Sequence, residues 1–231
     1  MARKIKIPNE LLKRFAREEQ KRKKNFRHKR KYYLIVCEGT KTEPNYFQSL
    51  KEDLPKGVLT SYQIDVEGTG RNTQSLMDEA LRLKKLYEQE NSRPIDKLWV
   101  VFDRDSFPAN DFNDAIVRCQ NSKPIIGCAW SNEAFELWYL LHFHYYNNAM
   151  SRQEYQDAIE VNLKPFLGED YRYKKNSTEM YAILKEKGNM DDAIRNAKKL
   201  VSNFGSQQDY SNHNPCTMIW KLIEELISLK S

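Results

Sequence analysis

Short β-rich apolar runs, separated by longer stretches with helical spacing, limit this chain to very few folds. The first run, Tyr32-Tyr33-Leu34-Ile35-Val36-Cys37, is apolar throughout and does not alternate. A strand covered on both faces has that pattern, because neither side meets water. Tyr62, Ile64 and Val66 alternate with polar residues and predict a second strand. Lys97 to Phe102 and Pro124 to Trp130 predict a third and a fourth. Between them lie helical patterns. Residues 42–53 carry Tyr46, Phe47 and Leu50 on one side, with Pro44 permitted in the first turn. A helix capped near Thr73 carries Leu76, Ala80, Leu83 and Tyr87; another carries Phe112, Ile116 and Cys119. Asn132 to Phe143 reads as a largely buried helix.

Strands alternating with helices of ten or more residues imply right-handed βαβ crossovers and a mostly parallel sheet. The fold class is therefore α/β, Rossmann-like, with flanking helices. Past about residue 150 the pattern changes. Tyr155/Ile159/Leu163, Met180/Ile183/Leu184, Ile194/Ala197/Leu200 and Ile219/Leu222/Ile223/Leu226 are helical stripes with no strand evident between them. The expected organisation is a basic arm over 1–31, an α/β core over 32–149 and a helical subdomain over 150–231, packed on the core.

Charge is unevenly placed. Residues 1–31 hold fourteen Lys and Arg against three acids, a net +11, whereas 32–231 hold 24 against 29, a net −5. Such an arm suits a polyanion, most simply RNA or DNA, since each Lys or Arg that meets a phosphate releases condensed counterions. The plainer alternative is a solvated helix that aids solubility. Lys21, Arg22, Lys23 and Lys24 are the densest part of it. No window approaches the eighteen or so apolar residues of a membrane helix. The amino terminus has no apolar core of a secretory signal. The four cysteines form no CxxC pair and no zinc spacing with histidine, and no disulfide framework is expected. The expected location is cytoplasmic.

Two predicted strands end in acids: the first in Glu38, the third in Asp103 and Asp105. Open parallel sheets build their sites at the carboxyl ends of strands. If strands one and three are neighbours, three carboxylates meet, and they repel unless a cation lies between them. Oxygen-only donors select magnesium or manganese over zinc. Such an ion polarises a phosphoryl oxygen, activates a water and stabilises a leaving alkoxide. The plainer alternative is that Asp103 and Asp105 cap the next helix and Glu38 pairs with a lysine.

An apolar strand ending in Glu-Gly, followed by two helix–strand steps and a strand ending in Asp-x-Asp, resembles the TOPRIM fold. Three segments are similar to RloB/AbiLii-like proteins of that fold. These are Cys37-Glu38-Gly39-Thr40-Lys41-Thr42-Glu43-Pro44-Asn45-Tyr46-Phe47, Val101-Phe102-Asp103-Arg104-Asp105, and Ser131-Asn132-Glu133-Ala134-Phe135-Glu136-Leu137-Trp138-Tyr139-Leu140-Leu141-His142-Phe143. Glu133 stands where many relatives are expected to have proline. The resemblance spans roughly residues 30–230. It implies a nuclease of bacterial antiviral, abortive-infection systems, encoded beside an ATPase partner of the RloA or ABC type, with tRNA a substrate of some relatives. Glu38 would then be a general base or metal ligand, and Asp103 and Asp105 metal ligands. Glu43 and Glu136 are lesser candidates. Their plainer roles are to support a helix amino terminus and to pair with a buried Lys or Arg.

Gly68-x-Gly70-Arg71-Asn72-Thr73 precedes a helix but lacks Walker or dinucleotide spacing. Arg71 is expected to touch the substrate backbone. Tyr171-Arg172-Tyr173-Lys174-Lys175 interleaves aromatics with cations, as single-stranded nucleic acid requires. Lys174 and Lys175 are expected to bind it; a snorkelling surface segment is the alternative. The sequence thus points to a magnesium- or manganese-dependent endonuclease acting on RNA, tRNA in particular. A non-catalytic module that binds nucleic acid or an ATPase is the competing expectation. The oligomeric state stays open, a homodimer included.

Overall fold

Strand β1 (Lys31–Cys37) is central, and its neighbours explain its composition. The computed structural model describes residues 31–70, 73–105 and 108–229. Residues 1–30 of the basic arm, with Lys21, Arg22, Lys23 and Lys24, lie outside the described residues, and so does Arg71; Lys31 opens β1.

The chain runs from β1 through α1 (Thr42–Glu52) and α2 (Lys56–Ser61) to β2 (Tyr62–Gly68). It continues through α3 (Thr73–Asn91) to β3 (Lys97–Asp103), then α4 (Ala109–Asn121) to β4 (Gly127–Asn132). The short α5 (Glu136–Leu140) leads to α6 (Arg152–Leu167), α7 (Met180–Lys187), α8 (Met190–Ser202), β5 (Cys216–Thr217) and α9 (Ile219–Ser228). The sheet order is β2-β1-β3-β4-β5. β1 to β4 are mutually parallel, and β5 runs antiparallel to β4. This is the α/β, Rossmann-like, mostly parallel architecture that the sequence predicts.

Both faces of β1 are buried. Tyr33, Ile35 and Cys37 belong to one apolar cluster and Tyr32, Leu34 and Val36 to the other. β3 divides likewise, with Trp99 and Val101 on the first side and Leu98, Val100 and Phe102 on the second. At about 1.5–3 kcal/mol for each fully buried aliphatic or aromatic side chain, these two strands carry much of the core. β2 lies at the edge and commits Ile64 to the core, with Tyr62 and Val66 packed against the same cluster, which is why it alternates.

The carboxy-terminal helices complete the first face. Tyr155, Ile159 and Leu163 of α6, Ala193, Ala197 and Leu200 of α8, and Ile219, Leu222, Ile223 and Leu226 of α9 join the cluster that holds α1. α3 and α4 cover the opposite face through Leu76, Met77, Ala80, Phe112 and Ile116.

Two details differ from expectation. The helix expected over 132–143 is regular only from Glu136 to Leu140. Asn132 is the last residue of β4, where its buried side chain donates to the Ser211 carbonyl at 2.8 Å. The segment expected to be purely helical also returns one strand, β5, to the sheet edge. Two residues are too short for periodicity to register.

Candidate active site

Strand order locates the cleft. The chain leaves β1 for β2 on one side and returns to β3 on the other, so the order reverses between β1 and β3. Crossover segments diverge at such a point and leave a crevice at the carboxyl ends. Glu38 and Asp103 lie on its two sides. The β1–β3 ladder continues one residue past the strand, with the Glu38 N–H donating to the Val101 carbonyl at 2.9 Å. Glu38 is thereby held beside Asp103, whose N–H donates to Glu38 Oε2 at 3.2 Å.

After Asp103 the chain turns sharply. The Arg104 N–H donates to Ser131 O (2.9 Å) and the Asp105 N–H to Glu133 O (3.1 Å). Asp105 adopts φ +43°, a left-handed conformation that aspartate tolerates better than most residues. Both aspartates line the same cleft. Glu43, in the first turn of α1, joins them. Gly39 makes room for it, since a methyl on Gly39 would stand 2.2 Å from Glu43 Oε2.

The cleft has a volume of about 460 Å³ and is lined by Glu38, Gly39, Thr40, Lys41, Thr42, Glu43, Gly70, Asp103, Asp105, Arg152, Lys175 and Asn176. Four acids from two separate stretches therefore line one cleft.

Glu136 does not line it. It is buried behind the cleft, where Oε1 accepts from Tyr173 Oη (3.2 Å) and Gln156 Nε2 (3.3 Å). Both hydrogen-bond donors are neutral, and Arg152 also feels the charge of Glu136. Lys175 stands at the rim. Thr42 donates its hydroxyl to the Lys175 carbonyl, and the Asn45 amide and Ser49 hydroxyl bond the carbonyls of Asn176 and Thr178. One face of α1 thus fixes the 175–178 segment over the site. Lys174 is exposed beside it, outside the cleft lining.

Burial dominates the electrostatics. It pushes the Glu38 carboxyl up to about 7; the Asp103 N–H opposes this, and Glu43 and Asp105 add to it. Asp103 is raised well above the ordinary range, first by burial and then by Glu43 and Glu136, against the pull of Arg152 and the Phe135 N–H. Glu43 is raised by burial and Glu136, against its own N–H, Lys175 and Arg152.

Arg152 is the residue that sequence reasoning missed. Its Nη1 lies 2.9 Å from Asp105 Oδ2 and its Nη2 3.4 Å from Asp103 Oδ2. A signal existed. Ser151 and Glu154 form a capping box, which places Arg152 in the first turn of α6, where the helix dipole disfavours a cation. Asp103 also accepts from the Phe135 N–H, just before α5, at 2.9 Å through Oδ2. Its other oxygen, Oδ1, is buried with no hydrogen-bond partner.

Among the described residues, no three His, Cys, Asp or Glu side chains stand close enough as placed to hold a metal ion. The chemistry of the donors nevertheless fits a hard divalent ion, because all are carboxylate oxygens and one buried oxygen lacks a donor.

A parallel sheet covered on both faces, with a carboxylate-lined cleft at its switch point, defines an α/β protein of Rossmann-like architecture. A family model described as RloB-like protein matches residues 33–226, most of the chain, and the protein belongs to that family. No curated protein and no solved structure matches it significantly. Among the described residues, no helix is long and apolar enough to cross a membrane.

Proposed function

We propose that this protein is a divalent-metal-dependent endonuclease of the TOPRIM type that cleaves RNA, tRNA in particular, in a bacterial antiviral system under the control of an ATPase partner. One observation carries the catalytic part. Glu38, Glu43, Asp103 and Asp105 converge on one cleft at the switch point, and Asp103 Oδ1 is buried without a donor. The antiviral setting and the ATPase rest on family membership and on the sequence resemblance.

Asp103 and Asp105 would hold magnesium or manganese, which when bound would offset charge on a phosphodiester oxygen. Glu38 titrates near 7, so its carboxylate is suited to accept a proton at neutral pH. Lys41 and Lys175, both exposed at the rim, would meet the flanking phosphates.

The test is Asp103→Asn and Glu38→Gln in the full chain, assayed on labelled tRNA and duplex DNA with magnesium or manganese, with and without the partner ATPase. Wild type is expected to cut the tRNA only with metal. Both variants are expected to keep the wild-type circular dichroism spectrum and lose at least about a hundredfold in rate. Wild-type rates in either variant would overturn the assignment. A non-catalytic module is the second reading, favoured by the Arg152 bridge, which leaves Asp103 and Asp105 paired without any metal. Metal-independent binding with no cut product, the ATPase present, would establish that reading instead.

A further inference from the structure

One guanidinium serves two acids of the cleft. Arg152 spans Asp105 Oδ2 at 2.9 Å and Asp103 Oδ2 at 3.4 Å, and its side chain is 26% exposed. Its charge also opposes the burial of Glu38, Glu43 and Glu133, whose carboxyls it pulls down. An ion bound by Asp103 and Asp105 would share both carboxylates with Arg152.

We propose that Arg152 is the built-in counter-cation of the cleft, competing with a divalent metal for Asp103 and Asp105 and swinging outward when the metal binds. The inference rests on the metal-binding reading of the cleft and assigns Arg152 a positioning role.

Three observations support it. Asp103 Oδ1 is buried and unbonded while Oδ2 accepts from both Phe135 and Arg152. Asp103 therefore keeps one oxygen without a donor, which a cation can take once Arg152 moves aside. Next, the Arg152 Nε is buried with no acceptor, and the residue sits at the positive end of α6. Finally, the side chain is already partly exposed, so a change of rotamer would move it out without unfolding the helix. Clustered carboxylates repel one another, and a divalent ion neutralises them better than a single positive charge.

The experiment is calorimetric titration of the full chain with Mn2+, comparing wild type with Arg152→Gln, Arg152→Lys and the surface control Arg118→Gln. Arg118 pairs with Asp78 elsewhere on the surface. Arg152→Gln is expected to bind Mn2+ about tenfold more tightly, or about 1.4 kcal/mol. Arg152→Lys should fall between, and Arg118→Gln should equal wild type. In chelator, Arg152→Gln should melt below wild type, and added Mn2+ should raise its melting temperature more. Equal or weaker Mn2+ affinity in folded Arg152→Gln overturns the competition while leaving the metal reading intact. Failure of every variant to bind Mn2+ overturns both.

Discussion

Glu38 sets the sign of the cleft's response to pH. Its carboxyl titrates near 7 in the folded protein, from an ordinary value of 4.5, and burial is the leading cause. A group whose folded value is raised favours folding only while protonated. Its contribution is complete below about pH 4.5 and is lost as pH rises through about 7. Glu38→Gln imitates the protonated acid and can still accept from the Asp103 N–H. In chelator, the variant is therefore expected to melt above wild type near pH 8 and to converge with it near pH 4.5. A thermal-unfolding series across that range checks it. A constant difference at every pH would mean that Glu38 is not held protonated by its surroundings.

At the level of elements, the cleft depends on how closely β2 ends against the turn after β1. Gly68, the last residue of β2, has no room for a side chain. An added methyl would stand 2.7 Å from the Gly39 carbonyl oxygen, 2.7 Å from Pro44 Cγ and 3.0 Å from Thr40 Cα. Two of these are backbone atoms of the turn that presents Glu38, and they yield only if the turn moves. Gly68→Ala is expected to destabilise the protein by about 1–3 kcal/mol, as overpacking does. Chemical denaturation measures that loss, and metal titration should show weakened uptake, because Glu38 and Glu43 leave the turn on either side of the displaced segment. Wild-type stability in this variant would show that the turn has slack. The contacts from Thr42, Asn45 and Ser49 to the 175–178 segment work in the same way, with one helix face positioning a remote lysine.

For the whole molecule, the proposed function raises the question of how a polyanion would reach a cleft lined by carboxylates. The body from residue 32 carries a net −5, and residues 1–31 carry +11. On that proposal, attraction at a distance would come mainly from the arm, with Lys41 and Lys175 acting at the rim. Replacing Lys21, Arg22, Lys23 and Lys24 with glutamine is expected to weaken tRNA binding at low salt. It should also reduce the slope of log K against log salt by up to about 3–4. Binding measured across a salt series tests this, with the melting temperature of the body expected to be unchanged. An unaltered slope would assign the polyanion contacts to the body.

Much of this architecture is legible in the sequence because partition from water acts on each residue locally. An apolar run without alternation means a strand covered twice, and β1 and β3 are that. Alternation means an edge, and β2 is one. The acids that close β1 and β3 were therefore visible as candidate site residues, and the structure seats Glu38, Asp103, Asp105 and Glu43 in one cleft. Arg152, the placement of Lys175 over the site, the withdrawal of Glu136 behind it and the return of β5 to the sheet edge were not legible in the same way. Each depends on contacts between residues far apart in the chain, and no local period encodes such contacts. They form only when the carboxy-terminal helices pack onto the exposed face of the sheet, and that packing decides which cation meets which acid.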